Sequence, residues 1–122
     1  MKQQNFSLSK RLESFKYAFN GLRVLIKEEH NARIHLFATI LVVAAGFYYH
    51  ISIGEWIAIL LCIGLVISLE IINSAIENIA DYVSPNKHEM IKKIKDLSAA
   101  SVLVTAFISL IIGILIFIDK IF

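Results

Sequence analysis

The chain has 122 residues, of which 57% are hydrophobic and only 18% are charged. A soluble domain is usually about one quarter charged, and the mean hydropathy of +0.71 points instead to a membrane protein. The net charge of +2 is too small to indicate nucleic-acid binding, and the single cysteine, Cys62, excludes an internal disulfide and a cysteine zinc site. With one proline and five glycines, the composition favours one all-α membrane domain.

The first predicted element is an amphipathic helix over residues 1–32. Its apolar residues recur at alternating spacings of four and three, which places them on one stripe of a helix. Lysine and arginine residues cover much of the remaining surface. This pattern is typical of a helix that lies in the membrane interface, so we expect an N-terminal surface helix. The apolar stripe comprises Leu8, Leu12, Phe15, Phe19, Leu22 and Ile26.

Three later segments are long and apolar enough to cross a bilayer, which takes about 20 residues. We predict transmembrane helices over residues 34–51, 56–82 and 95–118. Seven of the twelve lysine and arginine residues precede the first span, and four more lie in the segment 77–96 around the junction of the second and third spans. Both regions fall on the same side of a three-span chain. Since positive charge accumulates on the cytoplasmic side, we expect a multi-pass protein with a cytoplasmic N-terminus.

The second span carries a stripe of polar residues. Counted from Glu70, the others follow after 3, 4, 7 and 11 residues, so a rotation of about 100° per residue places them in one sector of the helix. An acidic side chain that faces lipid costs several kcal/mol, and the stripe must therefore face protein or water. Its members are Glu70, Asn73, Ser74, Glu77 and Asp81.

The depth of this stripe places it in the cytoplasmic half of the bilayer. Counted from Trp56 at about 1.5 Å per residue, Glu70 lies roughly 21 Å deep and Glu77 roughly 31 Å deep, in a hydrocarbon core about 30 Å thick. Lys95 at the start of the third span and Glu29 near the end of the surface helix approach the same level. Acidic residues and a lysine from three segments are thus expected in one interfacial layer.

Such a layer suits a reaction between a water-soluble phosphate compound and a lipid headgroup. Carboxylates bind Mg²⁺, which bridges to phosphate oxygens, and a further carboxylate can take a proton from a hydroxyl group. The sequence has no glycine-rich phosphate loop, so a nucleotide site here is not a P-loop. From spacing alone two alternatives stay open. One is a pore or a small proton-coupled transporter that uses Glu70, and the other is a set of polar contacts that only hold helices together.

The same residues resemble the signatures of a known family. Residues 70–77 (EIINSAIE), with Asp81 four residues on, resemble the central motif of the small integral-membrane prokaryotic diacylglycerol kinases, including the undecaprenol kinase branch. Residues 95–100 (KDLSAA) resemble the second motif of this family, and residues 15–22 and 29–35 resemble its N-terminal signature. The resemblance covers nearly the whole chain in order.

This resemblance implies a homotrimer with sites shared between neighbouring subunits, in the bacterial inner membrane. It also implies transfer of the γ-phosphoryl group of ATP to a lipid alcohol, diacylglycerol or undecaprenol, with Mg²⁺ as cofactor. Glu70 matches the general base for the lipid hydroxyl, and Glu29 and Glu77 match the residues that hold the metal. The implied nucleotide-binding residues are Lys10 or Arg11, Tyr17, Glu29, Asn73, Glu77, Asp81, Lys95 and Asp96.

Several residues indicate which lipid is the acceptor. Glu70 and Ala99 are the expected lipid-binding residues, and Ala99 stands where enterobacterial diacylglycerol kinases carry serine. Residues 31–35 are closer to the undecaprenol kinase type. His30 and His35 lie five residues apart and do not share a helical face well, so lipid-headgroup contact or a structural role is favoured for them over metal binding.

Three of the implied site residues also have a purely structural interpretation. Asn73 can serve as a hydrogen-bonding group between membrane helices. Lys95 next to Asp96 can be an ion pair at the start of a helix whose lysine reaches out to water. Tyr17 can be an aromatic residue of the membrane interface.

Overall fold

A computed structural model describes residues 7–122, and all of the regular structure within them is helical. In chain order the helices are α1 (Leu8–Glu28), α2 (His30–Tyr48), α3 (Ile53–Val83) and α4 (Glu89–Ile121). The last three are long and apolar enough to cross a membrane. The prediction of an all-α chain with three membrane spans is therefore confirmed for the described part. Residues 1–6 of the predicted surface helix lie outside it.

The helix boundaries differ in detail from the predicted ones. Helix α3 begins at Ile53 rather than at residue 56, and α4 begins at Glu89 rather than at residue 95. Within the predicted helix 1–32 the chain breaks at Glu29, whose backbone is extended (φ −105°, ψ 113°). This break separates α1 from α2 and sets Glu29 at the junction, where its side chain reaches α3.

Polar side chains cap three of the four helix starts. Ser7 Oγ accepts a hydrogen bond of 3.4 Å from a backbone N–H in the first turn of α1. At the start of α3, Ser52 Oγ accepts from the Glu55 N–H at 3.2 Å, and Glu55 Oε1 accepts from the Ser52 N–H at 2.9 Å. His88 Nδ1 accepts from the Met90 N–H at 3.1 Å. Such caps satisfy N–H groups that have no partner within the helix and thereby fix where it begins.

Helix α2 ends in a Schellman motif that turns the chain toward α3. His50 takes the left-handed backbone conformation (φ 51°), and its N–H donates to the Phe47 carbonyl at 3.4 Å. The Ile51 N–H donates to the Gly46 carbonyl at 3.2 Å, which completes the motif. The ring of Trp56 lies so close to Gly46 that a Cβ atom there would be 2.7 Å from it. The lack of a side chain at Gly46 thus permits this tight turn.

Helices α3 and α4 run antiparallel and are joined by an ion pair near each end. At the end where α3 begins, Lys120 Nζ lies 2.9 Å from Glu55 Oε2. At the end where α3 stops, Lys95 pairs with Asp81. The link between the helices is short and contains Pro85, which cannot donate a backbone hydrogen bond and disfavours helix in the residue before it. The two pairs fix which residues of α3 and α4 lie at the same level.

The apolar core and the buried polar residues occupy different ends of the helix bundle. Ile51, Ile59 and Phe117 form the centre of the core, close to the turn between α2 and α3. The buried polar side chains lie on the parts of α3 and α4 farther from that turn: Glu70, Ser74 and Ser98. Apolar burial therefore stabilises one end, and the other end is left for polar contacts.

Candidate active site

The polar stripe of α3 meets residues from three other elements at the end of the bundle where α3 stops. The break after α1, the second turn of α2 and the start of α4 each bring a side chain toward it. We call this group the polar layer: Glu29, His35, Glu70, Asn73, Ser74, Glu77, Asp81 and Lys95.

Glu70 is the most buried member of the polar layer. Only 3% of the residue is exposed, although it is a carboxylic acid in the middle of an apolar helix. His35 on α2 places its Nδ1 atom 2.6 Å from Glu70 Oε1. A buried carboxylate needs such a partner, because an unpaired charge away from water is strongly unfavourable. The contact of α2 with α3 therefore supplies a polar partner for the residue predicted to act as the base.

Glu29 and Glu77, the two residues expected to hold a metal, approach each other from different elements. Glu29 leaves the break between α1 and α2, and its Oε1 atom accepts a hydrogen bond of 3.1 Å from Ser74 Oγ on α3. Glu77 lies one turn further along α3, where its negative charge interacts with that of Glu29. The fold thus brings two carboxylates from distant parts of the chain to one place.

Lys95 supplies the positive charge of the layer. It pairs with Asp81 across the junction of α3 and α4, and its charge also interacts with that of Glu77. About a third of the Lys95 side chain is exposed, and about two thirds of the Asp81 side chain. This end of the layer is thus accessible from water, whereas Glu70 at the other end is not.

Four buried polar atoms have no hydrogen-bond partner among the described residues. Two of them are His35 Nδ1 and Glu70 Oε1, which lie 2.6 Å apart without hydrogen-bond geometry. The other two are Asn73 Oδ1, between Glu70 and Glu77 on α3, and Ser98 Oγ, one turn beyond Lys95 on α4. Buried polar atoms are almost always hydrogen-bonded in folded proteins. An acceptor and a hydroxyl group therefore remain available for a bound molecule in and beside the layer.

The other predicted site residues lie outside the polar layer. Lys10, Arg11 and Tyr17 are exposed residues of α1. Asp96 pairs with Lys92 at 2.7 Å on the exposed surface of α4. Ala99 is exposed on the same helix. The single chain thus brings together the acidic residues and Lys95, but not the residues expected from α1.

The polar layer supplies some, but not all, of the ligands that a bound metal ion needs. Among residues 7–122, no group of three or more histidine, cysteine, aspartate or glutamate side chains could enclose a metal ion. Two carboxylates with a free amide oxygen nearby nevertheless fit Mg²⁺, which protein sites bind through one or two carboxylates while water and substrate phosphates complete the shell. The donor set favours a metal that arrives together with a phosphate compound.

An apolar cavity of about 620 Å³ adjoins this layer, between α2, α3 and α4. His35 lines it at the end nearest Glu70. Most other lining side chains are aliphatic and follow the helices toward the opposite end of the bundle, among them Val42, Ile63 and Leu110. A buried carboxylate and an apolar space of this size thus lie on two sides of one histidine.

Comparison with known proteins gives the family. The model of the prokaryotic diacylglycerol kinases matches residues 16–117, a range that contains every member of the polar layer. The chain belongs to the prokaryotic diacylglycerol kinase family. It is accordingly a lipid kinase that uses ATP as co-substrate, and it is a multi-pass membrane protein.

The relatives of this family carry two names. An undecaprenol kinase of Bacillus subtilis is 39% identical over 119 residues, which cover 98% of this chain and 97% of the relative. A diacylglycerol kinase of Synechocystis is 34% identical over 84% of this chain and 59% of its own length. A diacylglycerol kinase of Haemophilus influenzae is 31% identical over 76% of this chain and 79% of its own length. All three names describe lipid kinases, so the transporter alternative has no support.

From the sequence, His35 is expected to contact a lipid headgroup or to have a structural role. Its spacing from His30 concerns metal binding on one helix and does not predict a pairing with Glu70 on the neighbouring helix. The sequence nevertheless contains a feature from which the partner of Glu70 could be predicted. Glu70 needs a polar partner at its own depth, and in α2 between Arg33 and Tyr48 the only ionisable residue is His35. Pairing these two positions requires knowing that α2 packs on the polar stripe of α3.

Proposed function

We propose that this lipid kinase transfers the γ-phosphoryl group of ATP to undecaprenol at the cytoplasmic face of the bacterial inner membrane. The polar layer carries the proposal, since it combines a buried carboxylate, two facing carboxylates and a lysine at one end of three membrane spans. Undecaprenol is favoured because the relative with 39% identity over almost the full length of both chains bears that name. Ala99 in place of serine supports the same choice.

Diacylglycerol is the second candidate acceptor. The relatives from Synechocystis and Haemophilus influenzae are both named diacylglycerol kinases, at 34% and 31% identity. The apolar cavity beside His35 is compatible with the hydrocarbon part of either lipid, since its lining surface is mostly apolar. The two acceptors differ in their polar ends, so the discrimination is expected near Glu70 and Ala99.

In this proposal Glu29 and Glu77 hold Mg²⁺ together with the phosphates of ATP, and Asn73 contributes its free amide oxygen nearby. Bound there, Mg²⁺ would neutralise charge on the transferring phosphoryl group. The side chains need not form a complete cage, because substrate oxygens and water fill the remaining positions. Lys95, held by Asp81, adds a positive charge for the same phosphates.

Glu70 acts on the lipid side of the proposed reaction. Its carboxylate accepts the proton of the acceptor hydroxyl as that oxygen bonds to the γ-phosphorus and the bond to ADP breaks. Burial suits this role, because a carboxylate screened from water is reserved for the substrate hydroxyl. Glu70 is buried, whereas the Asp81–Lys95 pair at the other end of the layer is exposed. In this proposal the Glu70 end therefore faces the lipid substrate, and the Asp81–Lys95 end faces water.

Helix α1 is proposed to lie on the membrane surface. Its apolar stripe has no protein partner within the described residues at its N-terminal part, where Leu8, Leu12, Phe15 and Phe19 are each more than 60% exposed. Lysine and arginine residues share the helix with them. An apolar face next to basic residues is what binding to the interface of an anionic membrane requires. A cytoplasmic N-terminus follows from the same distribution of positive charge.

The proposed active enzyme is a homotrimer with sites shared between neighbouring subunits. Two observations support association: α2, α3 and α4 leave many large apolar side chains exposed, and Lys10 and Tyr17 are exposed residues of α1 that do not join the polar layer within the described residues. Lipid alone can cover apolar side chains in a membrane. The stronger argument is therefore the incomplete set of nucleotide-binding residues in a single chain.

The acceptor is tested with purified protein, Mg-ATP and mixed micelles that carry either undecaprenol or diacylglycerol. We expect a kcat/KM for undecaprenol that is higher by roughly tenfold or more. The Ala99→Ser variant is the matched comparison, and it should shift the ratio toward diacylglycerol. A preference of the wild type for diacylglycerol would select the second candidate, and the absence of phosphorylated lipid with both would overturn the proposal.

A further inference from the structure

His35 and Glu70 form the deepest polar contact in the described part of the chain. His35 Nδ1 lies 2.6 Å from Glu70 Oε1, and the two side chains are 25% and 4% exposed. Between residues 7 and 122 this contact is the only ion pair of Glu70, and neither Nδ1 nor Oε1 has a hydrogen-bond partner in the present orientation of the imidazole. The orientation of the Glu70 carboxylate therefore depends on one residue of another helix.

A general base must present a lone pair to the hydroxyl that it deprotonates, within hydrogen-bond reach. A glutamate side chain has three rotatable bonds, so an isolated Glu70 would sample several orientations. A donor that holds Oε1 leaves the second carboxylate oxygen in a defined place. Catalytic groups work best when neighbouring side chains lock them in this way.

The geometry points to His35 as the positioning residue for Glu70. Its Nδ1 atom lies within hydrogen-bond distance of Oε1, and once the imidazole turns an Nδ1–H group onto that oxygen, the other carboxylate oxygen is directed toward the acceptor hydroxyl. This inference rests on the proposed function, in which Glu70 is the base. His35 also lines the apolar cavity next to Glu70. It is thus placed to orient the base and to border the space beside it.

The proton balance of the step leaves His35 unchanged. The hydroxyl proton of the acceptor moves to the second oxygen of Glu70, the acceptor oxygen bonds to the γ-phosphorus, and ADP departs with the electrons of the broken P–O bond. Glu70 then returns the proton to water. His35 keeps its Nδ1 proton throughout and acts only through the position of Glu70.

Substitutions of His35 separate positioning from packing. His35→Leu fills a similar volume without a donor, whereas His35→Asn places an amide N–H close to where Nδ1 lies. We expect His35→Leu to lower kcat roughly 10- to 100-fold, with the KM for ATP unchanged. His35→Asn should stay within about threefold of the wild type, because it keeps the donor. Phe37→Leu, at an exposed position of the same helix, is the control for a leucine substitution in α2 and should leave kcat unchanged.

Activity measurements on Glu70→Gln, alone and combined with His35→Leu, show whether the inference about His35 or the proposed function itself fails. If Glu70→Gln retains full activity, the general-base assignment fails, whatever His35 does. If Glu70→Gln is inactive and His35→Leu is fully active, only the inference about His35 fails. When both are impaired, a positioning role predicts that His35→Leu causes no further loss in the Glu70→Gln background.

If the His35→Leu variant fails to assemble, NMR measurements on the wild type and Glu70→Gln still test the inference. In ¹⁵N-labelled protein the imidazole shifts of His35 report which nitrogen carries the proton. We expect the Nδ1–H form in the wild type, and a changed signal in Glu70→Gln. An Nε2–H form, or shifts that do not respond to Glu70→Gln, would overturn the inference. Equal loss of kcat in the leucine and asparagine variants would also overturn it, since packing alone would then explain the effect.

Discussion

Glu70 and Glu77 are the same residue type, two helical turns apart on one face of α3, yet their surroundings give them different capacities. Glu70 is 3% exposed and has His35 as its one ion-pair partner among the described residues, whereas Glu77 is half-buried between the charges of Glu29 and Lys95. A carboxylate screened from water suits proton transfer, and a carboxylate among other charges at a wet edge suits a hydrated cation. The difference in burial, not the residue type, is the basis for assigning the two roles.

The Glu77→Gln variant tests the metal role at the residue scale. Loss of one of two carboxylates should weaken Mg²⁺-dependent ATP binding by roughly 10- to 100-fold. The measurement is the affinity for ATP at a series of Mg²⁺ concentrations. Glu89→Gln removes the same charge from an exposed position at the start of α4 and should have little effect. An unchanged Mg²⁺ dependence in Glu77→Gln would contradict the assignment of the metal site.

At the scale of the elements, the sequence contained most of the fold but not the contacts between helices. Long apolar runs define spans because the bilayer fixes their length, and the helical offsets from Glu70 to Asp81 predict a common face. The break at Glu29 was not foreseen, because no proline or glycine marks it. The pairing of His35 with Glu70 depends on how α2 packs on α3, and one-dimensional spacing within a helix carries no information about the neighbouring helix.

The turn from α2 into α3 gives a stability test at this scale. In Gly46→Ala the new Cβ would lie 2.7 and 2.9 Å from two ring atoms of Trp56, so the indole ring must shift. We expect a loss of about 1–3 kcal/mol, as for other overpacked cores. Gly54→Ala is the control, because its Cβ would meet nothing nearer than 4.0 Å, and it should be neutral or slightly stabilising.

Thermal unfolding in detergent micelles, followed by circular dichroism, measures both glycine variants. Trp56 is the single tryptophan of the chain, so its fluorescence reports directly whether the ring has moved. A Gly46→Ala protein with unchanged unfolding temperature and unchanged fluorescence would contradict the packing described for this turn.

At the scale of the whole molecule, the bundle is divided between a structural end and a functional end. The apolar cluster of Ile51, Ile59 and Phe117 lies at one end with the Glu55–Lys120 pair, and the polar layer lies at the other. This division lets the polar end remain open to substrates while the apolar end holds the helices together. It also explains why a chain with only 18% charged residues can carry a site for a phosphate compound: its acidic residues are concentrated at one membrane face.

The shared-site homotrimer predicts two results at this scale. The protein in detergent should have three times the 13.8 kDa mass of one chain, measured by light scattering with the detergent contribution subtracted. Mixed trimers of inactive Glu70→Gln subunits and inactive subunits that carry both Lys10→Ala and Arg11→Ala should recover part of the activity, because a site that takes α1 from the neighbouring subunit can then combine an intact polar layer with an intact α1. A monomeric mass, or mixed trimers without activity, would contradict this arrangement.

The central claim is that the buried carboxylate of Glu70 deprotonates a lipid alcohol during phosphoryl transfer from ATP. The most direct test is the rate of lipid phosphorylation by wild type and Glu70→Gln at saturating Mg-ATP and acceptor, with ATP affinity measured in parallel. We predict a rate loss of roughly 10²- to 10⁴-fold with ATP affinity unchanged, as expected for removal of a general base. An equal rate in the two proteins would contradict the claim.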